Sequence, residues 1–306
     1  MSPPRRSTAT TALTTMMVTI TARMPTITPI TATRITGTAI TRIRAPSRMF
    51  MDRTAAMITI TITIPRTATP MRLMEAPSPE PPANAELPLL LWLSPAFPVG
   101  SFAYSHGLEW AVQAGDIVDA ATLGEWLSDL LHFGAPRSDA ILFACAFRAA
   151  RTADWAGLDK INELAVALAG SAERRLETTA QGAAFLTAMR AAWTCAALSH
   201  LPAAGREPVA YPIAVGVAAA GHGLSLDLCL SAFVLSQFAN FVSAAVRLSA
   251  IGQTDGQKAL AAILLDVRAL ARDAAGAGLD DLGSCAFRSD IAAIRHETQY
   301  SRLFRS

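Results

Sequence analysis

Two neighbouring residues, His106 and Glu109, stand one helical turn apart in the stretch "SHGLE" and are the clearest candidates for chemistry in this sequence. As a pair they could contribute two metal ligands, and Ser105 with His106 could form part of a nucleophilic site. A metal site needs a third ligand and groups that orient the ligands, and the sequence supplies neither next to them. A polar helix face or a cap is therefore the favoured interpretation, and metal binding stays an alternative.

The remaining candidates are scattered along the chain. The five histidines and the four cysteines, Cys145, Cys195, Cys229 and Cys285, form no C-x-x-C pair or paired helical ligand set, so we expect buried, reduced thiols. No G-x-x-x-x-G-K-[ST] motif is present, which argues against a nucleotide bound by a P-loop. The charged residues in "RRLETTAQG", Arg174, Arg175 and Glu177, are interpreted as a solvated helix face. These patterns do not predict an enzyme.

The elements that carry these residues are predicted to be helical. Thr122 and Glu125 read as a capping box before an apolar stripe, which predicts a helix over 122–133. Pro136 marks the start of the predicted helix over 137–153. The other predicted helices span 155–169, 173–200, 211–221, 225–250 and 255–275. The sequence thus predicts an all-α fold, a single helical-bundle domain of about eight to ten helices, with 225–250 as a buried central helix rather than a membrane span.

The first part of the chain has a different composition. The chain has 26 basic and 24 acidic residues, of which residues 1–70 hold nine basic residues and one acidic residue. Residues 71–306 therefore hold 17 basic and 23 acidic residues. This acidic balance gives no reason to expect nucleic-acid binding. Residues 1–86 are a Thr/Ile/Arg-rich extension with a Pro-rich leader. A disordered extension, a targeting peptide or an out-of-frame reading of a His/Asp-rich coding region would explain it. We favour the last, with translation starting at Met71 or Met74.

Three stretches point to interactions rather than catalysis. "SPAFPVGSFAYSHGLEW" (94–110) fixes several backbone angles with Pro and Gly, and Ser101 is placed to cap the following helix. "RLSAIGQTDGQ" covers 247–257. "RHETQYSRLFRS" (295–306) mixes arginine with aromatic residues, the types enriched at protein interfaces. We expect much of 285–306 to be mobile alone and to dock on a partner.

These three stretches, in this order, resemble the signature sequences of the urease accessory protein F (UreF) family across about residues 87–306. The resemblance implies an all-α, dimeric, cytoplasmic chaperone, not an enzyme, which helps insert nickel into the urease apoprotein. It implies a protein that bridges a UreD/UreH-type accessory protein and a UreG-type GTPase and regulates that GTPase. Nickel and GTP would then belong to the partner complex, with no cofactor bound directly and no membrane or nucleic-acid partner.

The resemblance also suggests roles for residues that match the family's stretches. Tyr104 and Glu109 would belong to a GTPase-facing surface, so Glu109→Ala should leave the fold nearly unchanged. Tail residues would order on the UreD-type partner, with two other residues either bracing the tail or serving only the structure of the core or loop. The predicted tail residues are Arg295, Tyr300, Arg302 and Phe304, and the predicted bracing residues are Arg247 and Gln253. A direct nickel carrier using His106, Glu109, His222 or a cysteine is the alternative function, and a Ser105/His106 hydrolase is a third.

Overall fold

A computed structural model of the chain describes residues 16–19, 59–62, 86–203 and 206–306. The chain divides into two units, Met1–Ser78 and Pro79–Ser306. In the first, strands β1 (Met16–Thr19) and β2 (Thr59–Ile62) pair antiparallel, with Met16 opposite Ile62. The rest of the extension, including the proposed starts Met71 and Met74 and most of the Pro-rich leader, lies outside the described residues, so its predicted disorder or artefactual origin stays a prediction.

The second unit is all-α, as predicted, and its described residues form ten α-helices. They are α1 Glu86–Trp92, α2 Leu108–Ala114, α3 Ala120–Phe133, α4 Ala135–Arg151, α5 Trp155–Ala167, α6 Ala172–Ala192, α7 Tyr211–Gly221, α8 Leu226–Arg247, α9 Gln253–Gly276 and α10 Phe287–His296. Short 3-10 helices span Ser101–Ala103, Ala196–His200 and Leu279–Asp281.

Local signals explain most of the helix boundaries. α3 begins after Asp119, whose carboxylate accepts a hydrogen bond from the backbone N–H of Thr122 at 2.9 Å. Thr122 therefore occupies the third helical position and is not the cap that its spacing from Glu125 predicts. The single helix predicted over 173–200 is also wrong, because α6 ends at Ala192 and a 3-10 helix follows.

The core of the body lies where α4 and α8 pack against α7 and α9. Phe143 of α4 and Phe233 of α8 are fully buried with ring centroids 5.1 Å apart. α7 approaches α4 closely at Gly216, where an added Cβ would lie 2.7 Å from the carbonyl oxygen of Phe143. Large aromatic rings and close backbone contact thus fix the layer on which the other helices pack.

α8 was predicted to be a buried central helix, and the structure agrees. It is long and apolar enough to cross a membrane by length and composition, but 56% of its most apolar window is buried in the protein. The expectation of buried cysteines holds only in part, since Cys145 and Cys229 are buried whereas Cys285 is exposed.

Candidate functional site: an anchored C-terminal segment

The stretch 94–110 turns sharply before α2, and these turns bring its polar side chains into the protein. Gly100 and Gly107 have φ angles of 72° and 77°, and His106 has a φ of 55°. Such angles suit glycine far better than other residues. Gly100, not Ser101, occupies the cap position of the 3-10 helix. The result is that Ser105 is completely buried and Glu109 is only 7% exposed.

The C-terminal segment, residues 285–306, packs against this turn. Its helix α10 approaches so closely at Gly107 that an added Cβ would lie 2.5 Å from the backbone nitrogen of Ala293. Ala292 and Ala293 supply a small inner face for this contact, and both are buried. Gly107 is therefore required both for its backbone angle and for the space that α10 occupies.

The carboxylate of Glu109 binds the residues that follow α10. Its Oε1 accepts a hydrogen bond from the backbone N–H of Leu303 at 2.6 Å. Its Oε2 accepts from the backbone N–H of Phe304 at 2.9 Å and contacts Nε2 of His296 at 3.0 Å. One buried side chain thus satisfies two backbone donors and one ring nitrogen of the segment.

His296 connects Glu109 to a second acid. Its Nδ1 lies 2.7 Å from Oε2 of Glu173, and Oε1 of Glu173 accepts from Arg302 at 2.7 Å. Each ring nitrogen of His296 thus lies against a carboxylate, and we call these four residues, Glu109, Glu173, His296 and Arg302, the anchor cluster.

Further contacts hold the last residues of the segment. The backbone N–H of Ser105 donates to the carbonyl oxygen of Ser306 at 2.6 Å, and that of Arg305 donates to the carbonyl of Ala103 at 2.7 Å. The ring of Phe304 is buried, with the guanidinium carbon of Arg247 4.3 Å from its centroid. Arg247 therefore contacts the segment, and the bracing role that the resemblance suggests for it stays a prediction.

A second charged cluster lies beside the first and consists of His106, Arg174 and Glu177. Oε1 of Glu177 lies 2.6 Å from Nε2 of His106, and Oε2 accepts from Arg174 and, at 3.0 Å, from the hydroxyl of Ser306. Burial raises the pKa of Glu177, but Arg174 and His106 outweigh it and lower that pKa to about 2. Burial, with Arg174 nearby, lowers the pKa of His106.

This cluster corrects the interpretation of "RRLETTAQG" as a solvated face. Glu177 is 2% exposed, and Arg174 reaches into the protein toward His106. The helical period places Arg174 and Glu177 one turn apart on the same side of α6, and that side faces the turn before α2 and the C-terminal segment. Charge alone did not indicate that the side would be buried.

The structure separates the predicted partner-facing residues into two groups. Tyr104 and Glu109 are buried, so neither side chain can form a GTPase-facing surface in this conformation, and the premise that Glu109 is exposed is wrong. Phe304 is buried and Arg302 is bound to Glu173. Arg295, Tyr300 and Gln253 are exposed, and among the described residues no hydrogen bond joins Gln253 to the segment.

In this structure the segment 285–306 is packed on its own body, and its expected mobility in the isolated protein stays a prediction. Sequence reasoning missed Glu173 and His296, which lie 123 positions apart and meet only through the fold. The signal that could have found them is the pairing of acids in 105–177 with the basic residues of 295–306.

The outer face of α10 carries its large apolar residues. Phe287, Ile291 and Ile294 are 71%, 56% and 51% exposed, and Tyr300 beyond the helix is fully exposed. Their spacing of four and three residues would ordinarily place them on a core. We call Phe287, Ile291, Ile294 and Tyr300 the outer patch.

The side chains considered above for a nucleophilic or metal site already contact other groups of the protein. The hydroxyl of Ser105 donates to the carbonyl of Ser306, and His106 contacts Glu177. Nε2 of His222 lies 3.1 Å from the carbonyl oxygen of Trp193. Within the described part of the chain no three His, Cys, Asp or Glu side chains are grouped as a metal site.

Fold and site together define an all-α body whose buried charges anchor its own C-terminal segment and leave an apolar helix face outside. A model of the UreF family matches residues 117–264. Urease accessory protein UreF of Xanthobacter autotrophicus is 57% identical over 220 residues, which cover 72% of this chain and 90% of that protein. The UreF proteins of Methylobacterium radiotolerans and Bradyrhizobium diazoefficiens are each 52% identical, over 74% and 71% of this chain and 100% and 90% of theirs. The chain belongs to the UreF family.

Proposed function

We propose that this protein is a urease maturation factor that acts by binding other proteins rather than by catalysis. It bridges a UreD/UreH-type accessory protein and a UreG-type GTPase, regulates that GTPase and so promotes nickel insertion into the urease apoprotein. It works as a homodimer in the cytoplasm. Nickel and GTP are held by the partner complex. Family membership and the names of the relatives support this proposal.

The observation that carries the binding role is the outer patch. Exposed apolar residues at helical spacing, on an element held rigidly from behind, are typical of a surface that docks on another protein. Tyr300 adds a large side chain with few rotors to freeze, which favours a role as an interface anchor. We assign the outer patch to the UreD/UreH-type partner.

This assignment keeps Tyr300 and Arg295 as partner-facing residues, because both are exposed beside the patch. Arg302 and Phe304 act indirectly, since they hold the segment in place. Tyr104 and Glu109 also act from inside the protein. The surface that meets the GTPase therefore has to be formed by other residues.

The test is co-purification of the full chain with the UreD/UreH-type protein from cells that express both. Ile291→Asp puts a charge at the centre of the outer patch and should reduce recovery of the partner at least about tenfold, since a desolvated charge at an interface core costs several kcal/mol. Leu265→Asp is the matched control, because Leu265 is 76% exposed on α9.

Urease activity after co-expression with the maturation genes and nickel gives a second readout. Ile291→Asp should lower it in parallel with partner recovery, with the thermal unfolding midpoint unchanged. Full partner recovery by Ile291→Asp, or an equal loss with Leu265→Asp, would contradict the assignment of the outer patch.

A further inference from the structure

A cavity of about 280 Å³ lies between the body and the docked C-terminal segment. Residues of α4, α5 and α6 form its walls on the body side, and Ser289, Asp290 and Ala293 of α10 form the wall on the side of the segment. Its volume approaches the roughly 300 Å³ at which small-ligand sites begin. The cavity therefore has room for a small ligand or for one side chain of another molecule.

Two carboxylates that line the cavity, those of Asp139 on α4 and Asp290 on α10, accept no hydrogen bond from the described residues. Burial raises the pKa of Asp139 to about 6 and also raises the pKa of Asp290, so each negative charge is held in a costly environment. Both side chains are only partly buried, with 21% of the Asp139 side chain exposed, so a ligand in the cavity can reach them.

The positive charge near these acids is already in use. Arg174 donates to Glu177, and its second terminal nitrogen lies 3.9 Å from Oδ2 of Asp139. Its charge also reaches Asp290, whose pKa it lowers against the effect of burial. His106 lies beside Arg174, and because burial lowers the pKa of its ring the imidazole is neutral at pH 7. Three carboxylates thus surround one permanent cation, and among the described residues that line the cavity there is no other lysine or arginine.

We propose that this cavity binds a guanidinium group on a short aliphatic stem. A cation supplies the charge that the two free carboxylates lack. A guanidinium presents five donors in one plane and is more weakly hydrated than an ammonium, which suits acceptors on different walls of a partly apolar site. Leu142 and Leu168 supply apolar surface for the stem. A metal ion fits less well, because no three His, Cys, Asp or Glu side chains of the described residues are grouped to hold one.

Two sources could supply this group, a free small guanidinium compound or an arginine side chain of a partner polypeptide. The first probe is ethylguanidinium, titrated into the full ¹⁵N-labelled chain while the backbone amide signals of Ser171 and Asp290 are followed. We expect saturable shifts, with a Kd on the order of millimolar for so few atoms. Ethylurea, which has the same shape without the charge, should bind at least about tenfold more weakly.

Substitutions identify the groups responsible. Asp139→Asn and Asp290→Asn should each weaken ethylguanidinium binding at least about tenfold, whereas Asp159→Asn, at an exposed aspartate of α5, should leave it unchanged. Because the pKa of Asp139 is raised on folding, its ionised form disfavours the folded state at pH 7, and Asp139→Asn should not lower the unfolding midpoint. Binding should weaken as the pH falls through about 6, where Asp139 takes up a proton.

N-acetyl-arginine methylamide separates the two sources, with the corresponding citrulline compound as its neutral control. Selective binding of the arginine compound, at least as tight as that of ethylguanidinium, supports a polypeptide side chain, and binding of ethylguanidinium alone supports a free compound. The proposal would be overturned by the absence of a saturable shift with either guanidinium, by equal binding of ethylurea, or by full affinity in both Asp139→Asn and Asp290→Asn. Loss of binding in Asp139→Asn together with a lower unfolding midpoint would overturn the role of this carboxylate as a ligand.

Discussion

Replacing Glu109 by alanine should release the C-terminal segment from the body. The carboxylate accepts from the backbone N–H groups of Leu303 and Phe304 and contacts His296, all at 3.0 Å or less. Each backbone donor left without a partner costs about 1–3 kcal/mol, so keeping the segment in place with these two donors unpaired would cost about 2–6 kcal/mol. Detachment returns these donors to water and forfeits the packing of α10 instead. The measured loss will be the smaller of these two costs, and we expect about 3 kcal/mol.

Two measurements on the full chain separate these outcomes. Amide hydrogen exchange at Leu303 and Phe304 should become faster by about two orders of magnitude, because 1.4 kcal/mol corresponds to a factor of ten. A destabilisation of about 3 kcal/mol that extends to the whole body should also lower the unfolding midpoint by roughly 6–12 °C.

Glu125→Ala is the control, since Glu125 is an exposed glutamate on α3. It should change neither the exchange rates nor the midpoint beyond the usual 0.5 kcal/mol or so of a surface substitution. Wild-type exchange at both amides together with an unchanged midpoint in Glu109→Ala would refute the anchoring role of this carboxylate.

Two further substitutions test the neighbouring structure. Because the pKa of Glu177 falls from 4.5 to about 2 on folding, its ionised form contributes stability above pH 4.5 that is lost as the pH falls toward 2. Glu177→Gln should therefore cost about 3 kcal/mol at neutral pH and flatten acid denaturation in that window; an acid profile parallel to wild type would contradict this. Gly107→Ala should displace α10 and cost more than Gly100→Ala, because both have positive φ but only Gly107 would place a Cβ 2.5 Å from Ala293. Equal unfolding midpoints of these two variants would show that α10 does not depend on this contact.

Helical periodicity predicted most of the body because the pattern of buried residues there follows local sequence. The helix over 211–221 was predicted with its observed bounds, and the central helix over 225–250 is α8 within three residues at its ends. The predicted helix boundaries were wrong where two residues could act as the N-cap. Asp119, not Thr122, is the N-cap of α3, and the hydroxyl and backbone N–H of Thr122 complete a capping box with it. Such competition depends on backbone angles that composition does not fix.

The anchor cluster could not be predicted because its members are brought together from distant parts of the chain. A glutamate with no basic residue near it in the sequence is predicted to be exposed, because burying a charge is costly unless the charge is paired. Here the pairing partners of Glu109 and Glu173 lie more than 120 positions away in the sequence. For α10, the spacing of the large apolar residues would predict that they face the core. In the structure they face outward, and the small residues Ala292 and Ala293 face the core.

This reversed polarity links the anchor cluster to the proposed partner. The inner face of α10 is held by Gly107 and the anchor cluster, while Ile291 and the rest of the outer patch lie on the opposite side. If only the docked segment binds the partner, apparent affinity is reduced by the fraction of molecules in which it is docked. Losing the anchor would then weaken partner binding without any change to the surface, and would also alter exchange and stability. A charge at Ile291 would weaken binding while leaving both unchanged, so the two classes of substitution separate a partner-contacting residue from one that positions it.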